Sequence, residues 1–365
     1  MNSAVLAYHA RRRAGIARRN HSVVDFVSNI GQSEPTVRVI VQAGPDDNAD
    51  LAALRAGLLA TPAYSSPKFF YDVQGSALFT AICALDEDYP TRTEAAIFEQ
   101  HRAAIAHALP AAAQWIDLGC GDCAKSRGWF AAVRPARFVG VDISEVWLRS
   151  SLSALAEEFA EESADIEFVG AVTDFTRPFD LHALLAECPD AQPVFFYPGS
   201  SIGNFTPDQA LAFLVAIREH VVAHASGGGR LLIGIDLVKD ATIMEAAYDD
   251  AIGVTAAFNR NVLRVANRLL DADFDPHAFD HRAVFDAGHS RVEMHLVARH
   301  AHDVRVGNTV RRFAAGEPIV TEYSYKYTPQ KFTELLIAAG FSAHGGPRLW
   351  TDAREWFGVF LAEPA

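Results

Sequence analysis

Three aspartates stand where apolar runs end: Asp117 in "WIDLGCGDCAKS" (115–126), Asp142 in "RFVGVDI" and Asp174 in "VTDF", the last followed by Phe175. Small residues at a strand-to-helix turn let backbone N–H groups and a helix N-terminus approach a ligand. Gly119, Gly121 and Ala124 satisfy G-x-G-x-x-G/A, and Asp142 lies about where a ribose-binding acid belongs, so a nicotinamide-dependent oxidoreductase is one reading. Asp117, just before the first glycine, argues against a pyrophosphate, which it would repel. Acids at three successive strand ends suit S-adenosyl-L-methionine: one for the methionine or sulfonium end, one for the ribose hydroxyls, one for the adenine amine. Read singly, each is an ordinary loop acid.

A fourth apolar run, "FFYPGSSIGNFTP" (195–207), ends in a Pro-Gly-Ser-Ser turn carrying one amide. Ligands of open α/β sheets lie beyond the carboxyl ends of the strands. There Gly199 and Asn204 sit above the cofactor, and a planar amide that donates and accepts can grip an amino-acid headgroup. The bland alternative is a turn-stabilising asparagine.

The elements that position these residues alternate. Strand-like runs at 114–121 (ending in glycines), 137–143, 166–175, 192–205 (a strand plus turn) and 228–238 are separated by spans of helical spacing, which predicts βαβ units and a parallel sheet. Among the helices are 47–60, opened by Asp50 as N-cap, and 91–109, where Thr91 and Glu94 have capping-box spacing. Beyond Lys239 a helical stretch (241–268) gives way to alternating strands such as "HSRVEMHLVARH" and "EPIVTEYSYKYT", followed by a helix at 329–340 and a last strand. The expected fold is a doubly wound, Rossmann-like class I methyltransferase sheet with an inserted second α+β lobe. Its parts are an N-terminal arm, partly flexible (1–46), the first part of a substrate lobe (47–91), the first part of the methyltransferase domain (92–238), the rest of the lobe (239–326) and the rest of the domain (327–365).

Formal net charge is −13, from 45 acidic against 32 basic side chains, which argues against nucleic-acid backbone binding as the main task. The basic stretch "ARRRAGIARRN" (10–20) reads as a flexible arm; as an Arg-rich, acid-poor segment it also admits a transit peptide. No apolar run reaches membrane-spanning length. Four cysteines make no disulfide framework; Cys120 and Cys123 form a lone C-x-x-C without a second pair to complete a zinc site. No metal is expected, and a reducing cytoplasm fits.

Longer motifs occur in a distinctive order: "PKFFYDVQGSALF" (67–79), "DYPTRTE" (88–94), "PGSSIGNFTP" (198–207), "DLVKD" (236–240), "AYDDAIGVTAAFNRNVL" (247–263) and "TEYSYKY" (321–327). Over residues 47–365 the chain closely resembles the histidine-specific S-adenosylmethionine methyltransferases that make Nα-trimethylhistidine (hercynine) for ergothioneine biosynthesis. The resemblance implies that Tyr71 lies near the cofactor and the reacting amine and serves catalysis. Gly119, Lys125, Asp142, Asp174 and Phe175 then line the cofactor site, with Asp117 and Gly121 beside them. Asn204 and Tyr248 hold the substrate's carboxylate and amine, with Gly199 close by. Glu322 and Ser324 read the imidazole, and Met294 lines the pocket wall. A carboxylate and a hydroxyl two residues apart on a strand share a face and match a ring with a donor and an acceptor nitrogen.

One position departs from the family pattern: Asp88 stands where a second tyrosine usually precedes "YPTR", so it is a candidate substrate contact that could bind the substrate through water, repel its carboxylate or alter which amino acid fits. The expected substrates are L-histidine and its mono- and dimethylated forms, taken by a monomer with no nucleic-acid or membrane partner. A methyltransferase for another amino acid such as tryptophan, the nicotinamide enzyme and a non-catalytic S-adenosyl-ligand-binding module are the alternatives.

Overall fold

The structure is a computed structural model that describes residues 37–41, 47–159, 166–225, 228–341 and 345–365. The basic stretch 10–20 lies outside the described residues. In chain order the strands are β1 (Arg38–Val41), β2 (Ala63–Tyr64), β3 (Gln114–Leu118), β4 (Arg137–Asp142), β5 (Glu167–Val172), β6 (Pro193–Tyr197), β7 (Arg230–Asp236), β8 (Phe279–Asp286), β9 (Arg291–Ala298), β10 (His302–Val306), β11 (Thr309–Phe313), β12 (Pro318–Tyr325), β13 (Arg348–Thr351) and β14 (Phe357–Ala362).

Eight of them form one sheet in the order β1-β5-β4-β3-β6-β7-β14-β13. Neighbours from β1 to β7 pair in parallel, and β14 and β13 close the far edge antiparallel. After the edge strand β1, the chain enters the middle of the sheet at β3, steps outward through β4 and β5, then returns to β6 on the other side of β3. That reversal is a topological switch point, and the crevice beyond the carboxyl ends of β3 and β6 is where such sheets bind ligands. Strands β3 and β6 are buried at every residue because layers cover both faces, so neither sequence alternates: β6 is an unbroken apolar run, and β3 is broken only by Gln114 and Asp117. The doubly wound α/β sheet expected from the sequence is present. Arg38–Val41, inside the stretch read as an arm, is its outermost parallel strand.

A second, four-stranded sheet has the order β2-β12-β9-β8 and packs against the helices Val73–Ile82 and Val254–Leu270. The two sheets are stitched together where β12 ends: Tyr327 bridges Leu237 in parallel just past β7, and the Val238 amide donates to the Tyr327 carbonyl at 3.0 Å.

Three local expectations are corrected. The helix over 47–59 begins at Asp47, so Asp50 lies inside it, and its carboxylate pairs with Lys68 at 2.6 Å and with Arg177. The helix Tyr89–Ala108 begins two residues before Thr91, and no capping box forms, because Glu94 is turned inward to other partners. The helical stretch 241–268 is two helices, Ala241–Tyr248 and Val254–Leu270. Gly253, at φ +81°, makes the break, and Asp250 accepts the Val254 and Thr255 amides at 2.9 and 2.6 Å. Among the described residues no helix is long and apolar enough to cross a membrane.

Candidate active site

The glycine turn after β3 is built by three residues with positive φ, Gly119, Gly121 and Cys123. The Gly119 and Cys120 amides both donate to the Val141 carbonyl, at 2.8 and 3.1 Å, which ties the turn to β4. A Cβ on Gly119 would come 3.3 Å from the Phe175 ring, so the glycine lets that ring close over the turn. Asp142 accepts the Gly121 amide at 3.3 Å and the Ser144 amide at 2.9 Å. Burial raises its proton affinity, and those amides oppose the rise.

Asp117 is only 2% exposed. Its Oδ2 accepts the Ser126 hydroxyl at 2.6 Å, while Ser126 accepts the Trp115 indole N–H at 2.8 Å. Its Oδ1 is buried without a partner. Burial pushes the carboxyl up to about 7, against the Ser126 bond and the Lys125 charge. Asp174 caps its own turn by accepting the Thr176 amide at 3.1 Å, and its Oδ2 has no hydrogen-bond partner, with Arg177 at 3.5 Å and Lys68 at 3.9 Å. Two orphaned carboxylate oxygens and a ring-covered glycine turn fit a ligand bearing amine and hydroxyl donors.

The turn after β6 joins this edge through a residue the sequence reading overlooked. Glu94, 1% exposed, accepts the Gly199 amide at 2.7 Å through Oε1 and the Lys125 ammonium at 2.6 Å through Oε2. Burial works against the Lys125 charge, but Glu94 outweighs it and holds the ammonium above its ordinary range. Gly199 has φ +77°. Asn204 is exposed, and among the described residues its side chain has no hydrogen-bond partner. The turn also touches the other sheet: a Cβ on Gly203 would lie 2.9 Å from the Tyr325 carbonyl and 3.4 Å from Ser324 Oγ.

On that second sheet Glu322 pairs directly with Met294, so both point to one face. A bulge at Thr321, whose hydroxyl donates to the Met294 carbonyl at 2.9 Å, sets this register. Burial pushes Glu322 up to about 7, with Lys326 opposing. Tyr71 faces it. The residue is 47% exposed overall, yet its hydroxyl is enclosed, and burial followed by the Glu322 charge drive its proton affinity up. Tyr71 is therefore a neutral phenol at physiological pH. Its backbone is fixed by the motif around it. Asp72 caps the next helix at the Gly75 amide (2.8 Å) and receives Asn261 at 2.8 Å and Arg268 at 2.9 Å. Gly75 is obligatory, since a Cβ there would lie 1.7 Å from the Phe70 carbonyl.

Tyr248 is anchored by His281. Asn259 donates to His281 Nδ1 at 2.8 Å, leaving Nε2–H to donate to the Tyr248 carbonyl at 2.7 Å. The Tyr248 hydroxyl lies 2.8 Å from Ser324 Oγ. Behind this pair is a polar cluster absent from the sequence reading. Asp236 accepts Lys326 at 2.7 Å, Lys239 at 2.6 Å and the Tyr89 hydroxyl at 2.9 Å. The two lysines hold Asp236 below its ordinary range although burial pushes the other way. Burial brings Lys239 down to about 8.

Asp88 precedes the helix Tyr89–Ala108 and makes no side-chain cap bond to it. One carboxylate oxygen is buried without a partner, and burial raises its proton affinity against Thr91, Arg92 and Lys125. A separate cavity of about 350 Å³, lined among others by Arg92, Asp352, Arg354 and Trp356, shares only Tyr89 with the polar cluster. Among the described residues Asp180, His182 and His220 come within metal-ligand spacing. Both ring nitrogens of His220 already face backbone partners, the Leu181 amide at 2.9 Å and the Ala216 carbonyl at 2.7 Å. Cys120 and Cys123 are buried free thiols.

The signal for Glu94 was present in the sequence. It shares the buried stripe of its helix with Ile97, Phe98 and Ile105, and a charge on an apolar stripe calls for a partner. The Lys326–Asp236 pair had no comparable signal, because its members come from different sheets.

A mostly parallel α/β sheet with a switch point at β3 and β6, and acids at or just past the ends of β3, β4 and β5, has the fold of a class I methyltransferase. Residues 50–364 match the family described as histidine-specific, SAM-dependent methyltransferases, and the chain belongs to that family. It is 40% identical over 316 residues to the histidine N-alpha-methyltransferase of Mycolicibacterium smegmatis, covering 85% of this chain and 93% of that one. To the histidine N-alpha-methyltransferase of Mycobacterium tuberculosis it is 40% identical over 337 residues, 89% of this chain and 99% of that one. Among solved structures, Streptomyces venezuelae DesVI matches 81% of this chain and 100% of its own, with TM-score 0.40 and 14% identity.

Proposed function

We propose that this chain transfers the methyl group of S-adenosyl-L-methionine to the α-amino nitrogen of L-histidine, three times, to give Nα-trimethylhistidine. The observation that carries the reading is the pairing of Glu322 and Ser324 on one face of β12, with Met294 opposite Glu322 and the hydroxyl of Tyr248 against Ser324. An acceptor and a hydroxyl at strand spacing complement a ring with one N–H and one bare nitrogen, and leave an apolar side chain facing unpaired polar groups.

Gly119, Gly121, Asp117, Asp142, Asp174 and Phe175 are the residues to hold the cofactor, whose sulfonium supplies an already activated methyl group. The protein's own task is to orient the amine, exclude water and accommodate loss of the amine proton. A free α-amine has a pKa of about 8. Tyr71, as a neutral phenol, orients the amine through its oxygen rather than taking the proton. Asn204 and Gly199 face the headgroup, and Lys125 positions the Gly199 turn through Glu94. The working unit is a monomer in the cytoplasm acting on small molecules.

The test is a panel of amino acids incubated with the donor and read by mass spectrometry. Histidine alone is expected to gain 14, 28 and 42 mass units. Methylation of tryptophan in place of histidine overturns the substrate assignment.

A further inference from the structure

Lys326 follows Glu322 and Ser324 on the same alternating face and is 2% exposed. An ammonium has three protons and no lone pair. All three protons of Lys326 have acceptors: Asp236 Oδ2 at 2.7 Å, Tyr248 Oη at 2.8 Å and Ser324 Oγ at 3.0 Å. Oη and Oγ are themselves 2.8 Å apart.

The proton count then has one outcome. Each hydroxyl oxygen already accepts a proton from Lys326. The two hydroxyls own two protons, and one is used between them. The other has no acceptor among the described residues and is left for the cleft. Without the lysine, the pair could accept from a ligand as well as donate to it; with it, the acceptor sites are occupied and the pair presents a donor.

We infer that Lys326 is a positioning residue that fixes the Tyr248–Ser324 pair as a one-proton donor beside the acceptor Glu322, so that the pocket selects a neutral ring carrying one N–H and one bare nitrogen. The inference rests on the proposed histidine reading and deepens it. It assigns the discrimination to a lysine that touches no substrate atom. Gly203 keeps the β6 turn against Ser324, so the serine has little room to turn its proton elsewhere.

The experiment measures binding by calorimetry to the full chain saturated with S-adenosylhomocysteine. The ligands are L-histidine and its pyrrole analogue, which keeps an N–H and has C–H in place of the bare nitrogen. The wild-type protein is expected to prefer histidine by about 10- to 100-fold, the range for a buried donor left unpaired. Lys326→Met reduces that preference to about 2-fold or less while affinity for S-adenosylhomocysteine is unchanged. The Lys326→Met variant leaves Asp236 paired with Lys239 and Tyr89. Ser324→Ala combined with Tyr248→Phe, which keeps the Lys326–Asp236 pair, removes both hydroxyls and loses the preference in the same way.

A pH series adds a readout that a purely structural lysine would not move. The charged or titratable groups facing Glu322 are Lys326, Tyr71 and Tyr248. With the ammonium gone, the acid limb of histidine binding shifts to higher pH. Preference retained in Lys326→Met, with both ligands weakened equally, overturns the inference alone. Failure of the wild-type protein to bind histidine overturns the proposed function and the inference with it.

Discussion

Gly234 and Glu94 share one space: a Cβ on Gly234 would lie 2.1 Å from Glu94 Oε1. The bare glycine of β7 admits the carboxylate that holds both Gly199 and Lys125. Gly234→Ala therefore displaces Glu94, and overpacking of this kind costs about 1–3 kcal/mol. Chemical denaturation is expected to show that loss, and calorimetry a weaker fit for S-adenosylhomocysteine. Glu94→Gln separates the two effects: it keeps an acceptor for the Gly199 amide and releases the Lys125 charge. Full cofactor affinity in both variants would remove Glu94 from the site.

Glu322→Ala and Asp142→Ala act on different ligands. The first is expected to weaken histidine by about 10- to 100-fold and leave S-adenosylhomocysteine unchanged; the second does the reverse. Equal losses for both ligands in Glu322→Ala count against ring recognition there.

Asp117 and Glu322 both sit near 7 in the folded protein, above ordinary values of 3.8 and 4.5. Between those limits the native state binds more protons than the unfolded chain, so stability is highest below about pH 4 to 4.5 with respect to these groups and declines as pH rises through 7. Asp117→Asn removes its share of that decline. Thermal melts at pH 5 and pH 8 should show a smaller gap for this variant than for the wild-type protein. Cofactor affinity should fall at the same time, because an amide replaces the orphaned oxygen.

Asp88→Asn keeps the shape at the start of the helix and removes the charge. If the carboxylate meets the substrate, KM for histidine changes several-fold while cofactor affinity stays constant, the scale of about 1 kcal/mol expected for one polar contact. An unchanged KM assigns Asp88 to the helix terminus alone.

Much of the fold was legible in the sequence because burial on both faces writes itself as largely apolar, non-alternating runs. Strands β3 to β7 and the glycine turn follow from that pattern together with the small residues after Leu118. Two short edge strands, β1 and β13, were not separable from loops at four residues each. Asp50 and Glu94 show where local rules lose to tertiary ones. Each has the spacing of a helix cap, and each spends its carboxylate on cations far along the chain: Lys68 and Arg177 for the first, Lys125 for the second. The motif "AYDDAIGVTAAFNRNVL" carried the family resemblance, which gave a ligand role to Tyr248 alone. In the structure most of its polar residues are scaffold: Asp250 starts a helix, Asn259 orients His281, and Asn261 steadies Asp72. Tyr248 instead sets its hydroxyl against Ser324 and Lys326. Lys326 could not be read as a donor until Asp236 was seen beside it.

Strand β12 is hydrogen-bonded into the small sheet along its length and into the large one at Tyr327. It works as a ruler with one end clamped at the end of β7 and its graduations at residues 322, 324 and 326. A one-residue insertion after Tyr325 would leave the clamp and residue 326 in place and turn residues 322 and 324 to the opposite face. Changes of substrate within this architecture must therefore come from exchanging side chains on the ruler, since its length is not free to vary.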